Sequence, residues 1–206
     1  MPKTPPTATP SEKALRLARR LGVLRPTDLA QEGISRTTLQ RLVKSGAIER
    51  RGRGLYAVAG AHLGEKQTVI EASRRVPEGI VCLFSALQFH DFTTQTAREV
   101  WMAIPSKAWR PRNPGLPLRF VFLSGPARDT GIQEHKIHGV PVQVYSPAKT
   151  VADCFKFRNK VGLDVALEAL REGWRARLFQ MDELTAAAKA CRVWRVMRPY
   201  MEALVT

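Results

Sequence analysis

Apolar residues recur at two different periods along the chain, and the change of period marks the elements. Leucines stand at 15, 17 and 21 with Ala14 and Ala18 among them, and Leu17, Ala18 and Leu21 keep helical spacing, which predicts a helix with Ser11 as its cap and Gly22 at its end. Pro26 suits the first turn of a second, short helix. Its Leu29 and Ala30 face inward, and Gly33 is a natural left-handed residue after it. Ser35 is a good N-cap for a third helix, where Leu39, Leu42 and Val43 form an apolar face and Gly46 is the stop. The period then changes. Ile48, Leu55 and Val58 flank a polar tip, Arg50-Arg51-Gly52-Arg53-Gly54, which predicts a two-stranded hairpin. Three short helices followed by a basic hairpin predict a winged helix-turn-helix over residues 11–60.

The remaining residues, 61–206, mix both periods. Residues 65–76 predict a polar helix ended by Pro77 and Gly79, and "VCLFSALQFH" fits helical spacing. "EVWMAIPS" and "PLRFVFLSG" read as strands, and "GIQEHKIHGVPVQVYS" as a hairpin turning at His138-Gly139. From Ser146 the chain reads as helical. Ser146 caps, Pro147 fits the first turn, and Val151, Cys154 and Phe155 face inward. Leu163, Leu167, Leu170 and Trp174 form a second inward face, and Val193, Val196, Met197, Tyr200 and Leu204 a third. Strands first and helices afterwards give an α+β class: a small mixed sheet covered by a helical C-terminus, behind the winged helix. Residues 1–10, rich in proline and threonine, predict a disordered tail.

Charge changes the picture. The formal net charge is +15 over 206 residues, which points to a polyanionic partner. Residues 1–60 hold 12 Lys and Arg against 4 Asp and Glu, so the charge is concentrated on the predicted winged helix. On its third helix the face opposite the apolar one holds Thr37, Gln40, Arg41 and Lys44, with Arg36 and Thr38 on the flanks. Arg36, Thr37, Gln40 and Arg41 are the expected readers of base edges. Thr38 and Lys44 are the expected phosphate contacts, and Arg51 and Arg53 the wing anchors. A second nucleic-acid or antitoxic surface is expected at Lys107, Arg110 and Arg112, near Trp101 and Trp109, or at Lys156, Arg158 and Lys160.

The stretch from Leu24 to Val58 resembles the N-terminal winged-helix domain of the AbiE-type (AbiEi) abortive-infection antitoxins. The matching residues are Asp28-Leu29, Gly33-Ile34-Ser35, Leu39, Leu42, Gly46 and the wing from Gly52 to Tyr56. The resemblance continues through "SPAKTVADCFKFRNKVG" and "CRVWRVMRPYMEAL". It implies a transcriptional autorepressor and antitoxin of a type IV toxin–antitoxin operon, countering a nucleotidyltransferase-like toxin encoded beside it. It also implies that the C-terminal domain carries the antitoxic activity and that a stable complex with the toxin is not required. The expected DNA target is an operator of inverted repeats upstream of its own operon.

Other chemistries read weakly. Cys82, Cys154 and Cys191 are far apart and set among apolar residues, so buried free thiols in a reducing cytosol are expected, not a metal site. His135 and His138 fall on opposite faces of a strand. Asp129, Glu134 and Lys136 faintly match a metal-dependent nuclease site, which is the alternative enzymatic reading. Ser85, His90 and Asp91 lack the elbow and oxyanion loop of a nucleophile site. A further alternative is an antitoxin acting by direct toxin binding, with DNA incidental. No enzyme, cofactor or metal is expected. Uncharged runs such as Gly79 to His90 reach 12 residues, below the ~20 of a membrane span, and the N-terminus lacks the apolar core of a signal peptide. The expected location is cytoplasmic, with no membrane contact.

Overall fold

The computed structural model describes residues 8–60, 66–93, 98–109 and 116–204. Most of the expected tail lies outside them. The first helix, α1 (Pro10–Leu21), takes its cap from Thr9, not Ser11. Glu12 N–H donates to Thr9 Oγ1 at 3.2 Å, and Thr9 N–H donates back to Glu12 Oε2 at 2.8 Å. A cap at Ser11 would put Ala14 where this reciprocal box needs a Glu or Gln. Next come α2 (Pro26–Gln31), α3 (Arg36–Lys44) and a hairpin of β1 (Ile48–Gly52) and β2 (Leu55–Val58). Arg53-Gly54 forms the tip, and Gly54 holds φ +70°, a value that favours glycine. Leu24 pairs with Tyr56 through two backbone bonds of 2.7 and 2.9 Å, which ties the entry to α2 onto the wing.

After the hairpin come α4 (Gln67–Arg75), β3 (Ile80–Val81), α5 (Leu83–Phe89), β4 (Val100–Pro105), β5 (Leu118–Leu123) and α6 (Pro126–Asp129). The chain continues as β6 (Ile132–Ile137), β7 (Val140–Tyr145), α7 (Pro147–Lys156), α8 (Arg158–Val161), α9 (Leu163–Arg175), α10 (Met181–Ala190) and α11 (Trp194–Glu202). The five strands form one mixed sheet in the order β5-β4-β3-β7-β6. β4 runs parallel to β5, β3 parallel to β7, and the other neighbours are antiparallel. The α+β class and the helical C-terminus agree with the pattern of periods. β3 is the strand that pattern missed, since two residues show no alternation.

Alternation sorts the sheet's two faces. Trp101, Ala103, Val121, Leu123 and Tyr145 pack with α5, α7 and the C-terminal helices. Val100, Met102, Ile104 and Phe120 face the other way, under Ala72 of α4 and Val76 just past its end. Val140, Val142 and Val144 also face that way, in one cluster with Val69, Ile70, Leu17, Leu24 and Leu29. α4 is therefore not the polar helix its composition predicts. It buries Val69, Ile70, Glu71, Ala72 and Ser73. α9 is also turned relative to expectation: Val165, Ala166, Ala169 and Leu170 are buried and Leu163 is exposed. Among the described residues no helix is long and apolar enough to cross a membrane.

Candidate nucleic-acid interface

α3 starts where the sequence predicts. Ser35 caps it by accepting from Thr38 N–H at 3.3 Å, and the two hydroxyls lie 3.1 Å apart. The same bond removes Thr38 from the expected contact set. It is 1% exposed and packs inward with Leu39 and Leu42. Val43, expected inside, is 36% exposed. The buried face is thus turned toward Thr38, because Thr38 finds its partner in the cap and needs no water. The opposite face holds Arg36, Thr37, Gln40, Arg41 and Lys44, all exposed. α3 contains no acid, and no ion pair among the described residues reaches Arg36, Arg41 or Lys44.

The wing stands beside this face, and its two arginines differ. Arg53 sits exposed at the tip. Arg51 is half-buried and paired with Glu49 at 2.8 Å. The wing is braced from outside the winged helix. Arg75 of α4 donates to the Arg51 carbonyl at 3.0 Å and lies against Gly52, where a Cβ would come within 2.5 Å of the guanidinium. A neighbouring brace joins α4 to α2. Arg74 donates to both oxygens of Asp28, at 2.9 and 2.7 Å, and Asp28 also accepts from Arg25 N–H at 2.7 Å.

Lys13, Arg16 and Arg19 of α1 are exposed, and no ion pair among the described residues engages them. Reading α1 for its apolar stripe passed over them. The signal was the three-residue spacing of Lys13, Arg16 and Arg19 on the outer side of that stripe.

The expected second surface is divided. Lys107 and Trp109 are exposed, Trp109 at 84%, while Arg110 and Arg112 lie outside the described residues. Trp101 is core, with Arg119 stacked 4.5 Å from its ring centroid. Lys156 donates to the Cys191 carbonyl at 3.0 Å and Arg158 to the Phe155 carbonyl at 2.9 Å, so both engage carbonyls at helix ends. Lys160 is exposed, with its ammonium 5.5 Å from the Phe157 ring centroid.

Several residues of the enzymatic alternatives are otherwise engaged. Asp129 pairs with Arg128 at 3.2 Å, while Glu134 and Lys136 stand exposed on β6. Ser85 is buried and accepts from Trp101 N–H at 2.9 Å. His90 Nε2 lies 2.7 Å from the Tyr145 carbonyl. His138 sits in the turn between β6 and β7, not on the strand with His135. All three cysteines are free and buried. Burial raises each thiol, helped by the charge of Asp153, and Cys191 is pushed up to about 12. No group of three or more His, Cys, Asp or Glu able to hold a metal occurs among the described residues.

Three short helices, the last with a basic and unpaired outer face, followed by a two-stranded wing, define a winged helix-turn-helix. Residues 12–59 match the family model described as transcriptional regulator, AbiEi antitoxin. The match covers the winged helix, which is thereby similar to that family, and residues from 60 onward lie beyond it. No curated protein matches the chain.

Proposed function

We propose that this protein is a sequence-specific DNA-binding autorepressor and the antitoxin of a type IV toxin–antitoxin operon, acting in the cytoplasm against a nucleotidyltransferase-like toxin. The observation that carries the DNA reading is the outer face of α3, where three cations and two uncharged polar side chains stand exposed without one acid. Arg36, Thr37, Gln40 and Arg41 read bases in the major groove, and Lys44 holds a phosphate. Arg53 at the wing tip reaches the backbone or the adjacent minor groove, and Arg51 joins it by exchanging Glu49 for a phosphate. Lys13 and Arg16 extend the cationic surface. Thr38 has no part in it. The antitoxic role rests on the family match and needs no stable complex with the toxin.

The test is a gel shift with DNA from immediately upstream of the gene, against scrambled competitor at about 150 mM salt, where nonspecific binding is weakened. Wild type is expected to retain the upstream DNA selectively, and the Arg41→Ala/Arg53→Ala variant to lose that selectivity. Equal binding of both DNAs by wild type would reduce the charge to a general grip and sink the repressor reading.

A further inference from the structure

The two outer strands of the five-stranded sheet are unlike. β6 is guarded by polarity, since Gln133, Glu134 and Lys136 stand exposed along it. Soluble proteins blunt such an edge with lysine, proline or a bulge. β5 has none of these. Its sequence is LRFVFL, and its register with β4 runs unbroken over all six residues. Its single charge, Arg119, is turned to its own chain, 3.4 Å from Glu99 and stacked on the Trp101 ring. Among the described residues no strand pairs with the outer side of β5.

The hydrogen bonds show which backbone groups point outward. Val100 N–H donates to the Pro117 carbonyl at 2.9 Å, and Ser106 N–H to the Leu123 carbonyl at 3.0 Å. The odd-numbered residues of β5 therefore bond inward to β4. Alternation turns the N–H and C=O of Leu118, Phe120 and Phe122 to the outer side. The side chains of these three share the sheet face of Val100, Met102 and Ile104. Phe120 is buried there, Leu118 packs at the margin, and Phe122 is left 45% exposed. Outward backbone groups and an uncovered aromatic ring thus fall on the same short strand.

We infer that β5 pairs antiparallel with β5 of a second copy of this chain, about a two-fold axis through Phe120. In this register Phe120 meets its own counterpart, and Phe122 meets the partner's Leu118. The outward N–H and C=O of all three residues then find acceptors and donors, as directly paired residues of an antiparallel ladder do. Phe122 gains an apolar neighbour on its own face of the sheet. Arg119 falls opposite the partner's Val121, so no like charges meet. The strand is self-complementary in this register, which makes a second copy the occupant. Two six-residue edges form a small interface, so a dissociation constant in the micromolar range is expected. The axis would relate two winged helices as an inverted repeat relates two half-sites. That consequence rests on the proposed DNA function, and the pairing itself does not.

The test is sedimentation equilibrium of the full chain from about 5 to 500 µM, a range that spans micromolar dissociation constants. A reversible equilibrium between monomer and dimer is expected. Phe122→Pro removes an outward N–H and leaves the inward ladder to β4 intact, so its far-UV circular dichroism is expected to stay native. It is expected to weaken the dimer by about tenfold or more, because the two-fold axis loses each bond twice. Phe122→Lys changes only an exposed side chain and is expected to fold and to weaken the dimer as well. Arg41→Ala/Arg53→Ala is expected to dimerise like wild type, which separates this result from the DNA reading. The inference is overturned by a monomer throughout the range, or by a dimer of unchanged strength in the folded Phe122 variants. Assembly beyond the dimer would also overturn it, since the pairing consumes the β5 edge of both copies.

Discussion

Lys149 and Asp153 stand one turn apart on α7 with their charged atoms 2.6 Å from each other, 0% and 1% exposed. The ammonium also lies 3.8 Å from the Tyr145 ring centroid, and the Cys191 thiol donates to Asp153 at 3.3 Å. Removing one partner of a buried pair leaves the other charge uncompensated, at about 3–5 kcal/mol, whereas replacing both by apolar residues can be neutral. Lys149→Met and Asp153→Leu are each expected to destabilise by about that much in urea unfolding, and the double variant to recover most of the loss. His90 gives a pH dependence. Burial holds its imidazole below the usual value, against the favourable bond to the Tyr145 carbonyl. A lowered folded value means that its contribution is present above pH ~6.5 and is lost as pH falls through the folded value. Unfolding free energies at several pH values between 7.5 and 5 should therefore decline, and decline less steeply in His90→Gln. The sequence shows Lys149 and Asp153 only as an i, i+4 pair, the same spacing as an ordinary surface pair. What buries them is the sheet on one side and the C-terminal helices on the other.

At the scale of elements, the proposed function gives the reading to α3 and the gripping to the wing. Lys44→Ala is expected to lower affinity for operator and scrambled DNA alike and to reduce the salt dependence by about one unit of slope. Thr38→Val is expected to leave both unchanged, because Thr38 faces the core. Equal losses from the two substitutions in a salt-series gel shift would mean that α3 meets DNA with a different face. The apolar spacing of Leu39 and Leu42 and the Ser35 cap made the existence and length of α3 legible. Its rotation was not legible, because threonine and valine have nearly the same shape and spacing does not say which one finds a hydrogen-bond partner inside. The wing was legible from its glycines and change of period. Its brace was not, since Arg75 is 24 residues away from the Arg51 carbonyl it holds.

At the scale of the whole molecule, the winged helix and the sheet share one apolar cluster. Leu17, Leu24 and Leu29 belong to it, and so do Val69, Ile70, Val140, Val142 and Val144. A fragment of residues 8–60 would expose its side of that cluster and lose the Arg74–Asp28 and Arg75–Arg51 braces. It is expected to show no cooperative urea transition by far-UV circular dichroism, while residues 8–204 unfold cooperatively with an m-value in keeping with their size. A cooperative transition in the short fragment would show that the winged helix is self-sufficient.

Local physics is written in the order of residues. Caps, glycine turns, period changes and the concentration of positive charge determined the winged helix, its basic face, the α+β class and the helical C-terminus before any contact was known. Those features depend on neighbours within a few positions, which a sequence displays. Only the tertiary structure decided which face of α3 and α9 turns inward, that α4 is a core helix, and that a lysine and an aspartate are buried together. The same holds for the place of β5 at the edge of the sheet. Each depends on residues far apart in the chain meeting across the sheet, and no local period records that meeting.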